Sequence, residues 1–132
     1  MSESLMKYSE MCLNREFFTS LTNHENLNNI ESIKLQINSN YQSVSDISLH
    51  LTGLHTLILD GSILQTIRDF GNQFHCLQFL SVNECGLTDL EGIASLPSLR
   101  ELHAADNRIS ELAAIGFLDY IEVIYSFFLF FL

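Results

Sequence analysis

The sequence predicts an α/β solenoid. Its expected parts are a short parallel sheet on a concave face, short helical or 3-10 turns on the convex face, and a helical cap at the N-terminus. Three observations predict this class. Apolar residues recur in units that start at Leu54, Leu77, Leu99 and Ile121, spaced 23, 22 and 22 residues apart. Within the three full units they occupy the same places, the first, fourth, sixth, eleventh and fourteenth. A small or polar residue always stands at the ninth place: Ser62, Cys85 and Asn107. Together these match the leucine-rich-repeat template LxxLxLxx(N/C)xL, in which one unit cannot bury its apolar face without a neighbour.

Taken in chain order, residues 1–29 read as a helical cap, because Leu13, Phe17, Phe18 and Leu21 are helix-spaced and Thr22 with Glu25 has the spacing to start a second short turn. Residues 30–53 read as a degenerate first repeat. There Ile30, Ile33, Leu35 and Ile37 look like a strand, an irregular polar stretch runs from Asn38 to Ser45, and Val44, Ile47 and Leu51 return apolar side chains to the stack. Residues 54–126 carry the regular repeats. In each LxL core a strand points both apolar residues to one side. The ninth residue, Ser62, Cys85 or Asn107, is a structural turn residue that satisfies backbone groups the turn leaves unpaired. Leu90, Ile93 and Leu96, three apart, suit a short helical or 3-10 turn, with Thr88 and Glu91 at capping-box spacing at its start and Pro97 at its far end.

Residues 127–132 form an apolar tail at the end of SFFLFFL. Three readings compete for it. A membrane anchor is opposed by Asp119 and Glu122 within Ile115–Leu132, since a buried acid costs roughly 2.5 kcal/mol or more in a membrane helix. A native final strand that folds back is the second reading. The third and favoured one is a truncation product whose next repeats are missing, because a solenoid otherwise ends in a polar cap. Exposed Phe127, Phe128, Phe130 and Phe131 would then predict self-association or chaperone binding.

The bulk composition narrows function. With 47% hydrophobic and 17% charged residues the chain is not of the disordered class. Six basic against sixteen acidic residues leave a net charge of −10, which repels nucleic acid and anionic lipid and favours a basic protein or segment as partner. Cys12, Cys76 and Cys85 form no CxxC pair, and the N-terminus has no secretory pattern, so a reducing, cytosolic compartment is expected. No HExxH, GxSxG or glycine-rich phosphate loop is present, and no cofactor or metal site is expected. Cys85 as a nucleophile, or Asp106 and Asn107 as part of a calcium loop, requires that the repeat be ignored.

Binding is therefore assigned to the residues that alternate outward on the strands. These are Lys34 and Gln36, then Thr56, Ile58 and Asp60, then Phe79, Ser81 and Asn83, then Glu101, His103 and Ala105. Phe79, expected to lie exposed between Ile58 and Glu101, is the candidate hot spot, as aromatic anchors dominate interfaces. Five strands about 4.8 Å apart would make a sheet roughly 20 Å wide. That offers less than the roughly 800 Å² per partner of a standard interface.

With the repeats placed, the segment CGLTDLEGIASLPSLRELHAADNRISEL, Cys85 to Leu112, resembles the leucine-rich repeat-containing protein 56 family. The segments from Leu54 to Val82 and from Leu27 to Leu51 are similar to its preceding units. The resemblance implies a non-catalytic cytoplasmic adaptor of ciliated cells, tied to intraflagellar transport and to delivery or maturation of axonemal dynein arms. It implies no catalytic residues, and it implies a further repeat and a long tail that this chain lacks. A regulatory subunit of a protein phosphatase is the alternative for 22-residue repeats, and a receptor ectodomain is opposed by the absent signal peptide and cysteine caps.

Overall fold

A computed structural model of the chain describes residues 11–110. The predicted strand at Ile121 and Ile124, the helical positions Leu112, Ile115 and Leu118, and the apolar tail all lie outside the described residues.

The first helix, α1, spans Arg15–Thr22. Asn14 caps it, its side-chain oxygen accepting from the Phe17 N–H at 2.9 Å. Leu13 before the cap and Phe18 at the fourth helical position are both buried, the two positions of a hydrophobic staple. Thr22, expected to open a second turn, instead closes this one. Its hydroxyl donates back to the Phe18 carbonyl at 2.7 Å, and Asn23 ends the helix in the left-handed region at φ 57°. The following 3-10 turn, Leu27–Asn29, is capped by Asn26.

Four strands follow: β1 Ser32–Lys34, β2 Thr56–Ile58, β3 Phe79–Ser81 and β4 Glu101–His103. They form one parallel sheet in the order β1-β2-β3-β4. The hydrogen bonding repeats from strand to strand. The carbonyls of Glu31, His55 and Gln78 each accept from two successive N–H groups of the next strand segment, at 2.8 and 3.0 Å. At the far end Leu35, Leu59 and Val82 donate to the carbonyls of Ile58, Ser81 and His103. Parallel strands need long crossovers. Here the return paths run through helix α2, Ser45–His50, and the 3-10 turns Ile67–Phe70 and Ile93–Ser95.

The core lies between the sheet and these turns. The first, fourth and sixth places of each unit are buried, from Ile30, Ile33 and Leu35 through to Leu99, Leu102 and Ala104. Each fully buried leucine or isoleucine contributes about 1.5–3 kcal/mol. From the other side Val44, Ile47, Leu51, Ile67, Phe70, Leu90, Ile93 and Leu96 close over them. Before the last turn the Glu91 N–H is taken by Asp89 Oδ1 at 2.8 Å, a local turn bond, while the 3-10 turn itself starts at Gly92 with no side-chain cap, so the cap expected of Thr88 is not formed.

The chain leaves each regular strand through the left-handed region. The eighth places, Gly61, Glu84 and Asp106, have φ of 77°, 55° and 58°. The first unit departs from this, for its eighth residue, Ile37, is buried and the chain runs on into a polar loop. That loop is stitched down at both ends. Gln42, buried, accepts from the Asn38 N–H and donates to the Met11 carbonyl, while Ser39 and Asn40 bond Gln65.

Candidate functional site

The pairing register sets the outward side chains in rows across the strands. One row runs Ser32, Thr56, Phe79, Glu101, and the next Lys34, Ile58, Ser81, His103. A third lies just past the strands, at Gln36, Asp60, Asn83 and Ala105, linked by side-chain bonds from each unit to the next.

The first two rows hold an aromatic centre. The Phe79 and His103 rings lie 5.0 Å apart at 37°, and His103 Nε2 is 2.9 Å from Glu101 Oε2. In register Phe79 is flanked by Thr56 and Glu101, not by Ile58 and Glu101 as expected, because Ile58 pairs with Ser81. The diagonal neighbour His103 shields part of the Phe79 ring, leaving it half-buried. Beside it a shallow pocket of about 240 Å³ is lined by His55, Thr56, Gln78, Phe79, Arg100 and Glu101. Lys34 stands exposed on β1, with Thr56 and Ile58 half-exposed on β2.

The third row, with Ser81 of the second, is built differently from the expectation. Ser81, expected to be available to a partner, is 4% exposed, and its hydroxyl donates to Asp60 Oδ1 at 2.6 Å. The same carboxylate oxygen accepts the Asn83 N–H at 2.9 Å. Asn83 Oδ1 in turn accepts the Ala105 N–H at 2.7 Å. Asp60, Ser81 and Asn83 thus spend their polar atoms on neighbouring units, which follows from their place at the strand ends, where ladder bonds run out. A polar residue at the seventh place in two successive units was the available signal for this role.

Behind the rows, the ninth residues bond back to the preceding unit. Ser62 Oγ accepts the Ile37 N–H at 3.0 Å. Cys85 Sγ donates to the Leu59 carbonyl at 3.2 Å. Asn107 does most: its oxygen accepts from the Cys85 and Leu87 N–H groups, and its amide donates to the carbonyls of Val82 and Ala105. Burial pushes the Cys85 thiol up to about 12, and the nearby Asp60 and Glu84 carboxylates add to the rise. So placed, it is a neutral hydrogen-bond donor and a poor nucleophile. Among the described residues no cluster of three or more His, Cys, Asp or Glu side chains could hold a metal ion, and no helix is long and apolar enough to cross a membrane.

Against known proteins, the chain is 37% identical over 105 residues to leucine-rich repeat-containing protein 56 of Homo sapiens, a match covering 80% of this chain. The chain belongs to the leucine-rich repeat-containing protein 56 family. The Rattus norvegicus member is 33% identical over the same share, and a Trypanosoma brucei brucei homolog is 28% identical over 102 residues, or 76% of the chain. The chain spans about a fifth of the length of the mammalian members, 19% of the human protein. No protein-family model matches it, and no solved structure does. Family membership agrees with the repeat spacing and with the parallel sheet, since both follow from one unit laid beside the next.

Proposed function

We propose that this chain is a non-catalytic, protein-binding stretch of a leucine-rich-repeat solenoid, with α1 and its flanking turn as the N-terminal cap and the outward sheet face as the concave binding surface. The observation that carries the reading is the aromatic centre at Phe79 and His103, half-exposed on a sheet face whose opposite side forms the core. A half-exposed aromatic among polar neighbours is the usual composition of an interface hot spot. Candidate contacts are Lys34, Thr56, Ile58, Phe79, Glu101 and His103, with Asp60, Ser81 and Asn83 acting mainly to hold the face in shape.

Family membership and the resemblance of Cys85 to Leu112 support the finer reading: an adaptor in cilium or flagellum assembly, working in the cytoplasm and cilium and joining an intraflagellar-transport component to dynein-arm cargo. The test is affinity purification of the N-terminally tagged chain from ciliated cells, beside the Phe79→Ala variant, read by mass spectrometry. Recovery of transport or dynein-arm proteins by the unaltered chain, and their loss with Phe79→Ala, is the expected result. Recovery of phosphatase subunits instead would move the assignment to phosphatase regulation, and recovery unaffected by the substitution would move the contact off this face.

A further inference from the structure

Charge on the outward face is uneven. At the downstream rim stand Glu84 and Asp106, both exposed, with Asp60 just inside them. Among the described residues Arg68 pairs with Glu91 and a His103 ring nitrogen bonds Glu101, and Asp60, Glu84 and Asp106 have no cationic partner there. The field of Asp60 and Glu84 reaches the buried Cys85 thiol behind the rim. Glu101 adds a fourth carboxylate beside the Phe79 ring. On the opposite, upstream rim Arg100 lies next to the pocket, and Lys34 is confined to the edge strand β1. The face is therefore an aromatic centre with a negative border on one side, in a chain of net charge −10.

The geometry points to one occupant for this face: a basic, extended segment of a partner protein, lying across β2 to β4 with apolar or aliphatic groups on Phe79 and Ile58 and its lysine or arginine side chains at Glu84, Asp106 and Glu101. This deepens the protein-binding reading above and rests on it. Lysine and arginine suit the site because their aliphatic stems cover an aromatic ring while the charged head reaches a carboxylate. An acidic segment would meet the exposed carboxylates of Glu84 and Asp106 at the downstream rim, with Arg108 two residues further on, and like-charge contact is how interfaces reject wrong partners.

The test uses the full chain and two fluorescein-labelled ten-residue probes, alternating Lys-Thr and alternating Glu-Thr, read by fluorescence anisotropy at low and physiological salt. Three variants are compared with the unaltered chain: Phe79→Ala; Glu84→Gln with Glu101→Gln and Asp106→Asn; and a control that removes the same charge elsewhere, Glu16→Gln with Glu25→Gln and Asp69→Asn. The Lys-Thr probe should bind and the Glu-Thr probe should not. Neutralising Glu84, Glu101 and Asp106 should weaken binding about tenfold, against less than about twofold for the control. Equal weakening by both triple variants would overturn the proposal, because the probe would then be reading net charge alone. So would failure of the Lys-Thr probe to bind. Cellular partners that are lost with Phe79→Ala but kept by the rim variant would overturn the basic occupant while leaving the protein-binding face intact. Partners that are kept by both would remove the face as well.

Discussion

Gly92 opens the last described 3-10 turn at φ 97°, where the turn meets its counterpart Ile67–Phe70 in the preceding unit. A Cβ there would lie 2.5 Å from both Cα and N of Arg68 and 3.0 Å from the Ile67 carbonyl carbon. All three are backbone atoms, so no side chain can swing away to make room. Gly86 supplies the comparison: its φ is 77°, but a Cβ there would meet nothing within 4 Å. Gly86→Ala therefore measures backbone strain alone. Left-handed φ costs an alanine about 1–2 kcal/mol. The stiffer unfolded chain returns about 0.4–1 kcal/mol, leaving a net loss of about 0.5–1 kcal/mol. Gly92→Ala adds overlap between two packed turns, by analogy with overpacking about 1–3 kcal/mol, for a total of about 2–4 kcal/mol. Urea unfolding followed by far-ultraviolet circular dichroism reads both. With an m-value of about 1–2 kcal/mol/M, the Gly92→Ala midpoint should fall by about 1–2 M or more, and that of Gly86→Ala by less than about 1 M. If the two variants unfold within about 0.5 kcal/mol of one another, the turns are not packed as tightly as the structure has them and the reasoning fails.

Asn107→Ala strips hydrogen bonds from two N–H groups and two carbonyls behind the strands. Stability should fall by about 2–4 kcal/mol in the same urea assay, and a loss under about 1 kcal/mol would show that other groups or water replace the amide. Cys12 and Cys76 are exposed and should react with a thiol reagent at once, whereas Cys85 should react only on unfolding; three fast thiols would contradict its burial. The same thiol carries a pH signature. Its folded pKa is raised from 9.0 to about 12, so its contribution is complete below pH 9 and is lost as pH rises toward 12. The unaltered chain should therefore lose stability between pH 9 and 11 more steeply than Cys85→Ser, and parallel curves would refute the assignment. Glu84→Gly should stabilise by about 0.5–1 kcal/mol, since glycine relieves the left-handed φ at an exposed turn; a loss of stability would mean the carboxylate holds the turn.

What the sequence made legible is what the repeat enforces by burial. The first, fourth and sixth places had to be apolar to close the stack, and a 22-residue period set the parallel order before any contact was known. The ninth residue was legible as a turn position, although the identities of its bonding partners, such as Leu59 for Cys85, come only from the neighbouring unit. Features carried by single residues were less visible. Both Thr22 and Thr88 have the spacing of a capping residue, yet Asn26 caps the first of these turns and Gly92 opens the other with no side-chain cap, because several polar or small residues stand within one turn and geometry chooses among them. Ser81 alternates outward just as Phe79 does. Alternation fixes the side of a sheet but not whether Asp60, just past the preceding strand, takes the Ser81 hydroxyl. The left-handed eighth place could be read at Gly61 and weakly at Asp106, since aspartate tolerates that region, but not at Glu84, whose side chain gives no such warning.

That last mismatch bears on function. The fold asks for the same backbone at Gly61, Glu84 and Asp106, and glycine meets the request at no steric cost. Keeping a glutamate at Glu84 forgoes about 1 kcal/mol, and the aspartate at Asp106 less, since aspartate enters the left-handed region more readily; strained positions commonly make such a sacrifice where a side chain has work to do. The size of the face points the same way. Four strands about 4.8 Å apart span roughly 15 Å. With Ser81 buried and Asp60 and Asn83 bonded to neighbouring units, little of that width is free to meet a partner. Among the described residues the two open rows alone offer less than the roughly 800 Å² per partner of a standard interface. A basic segment bound as proposed adds the downstream rim to that surface, where Glu84 keeps its carboxylate at the backbone's expense.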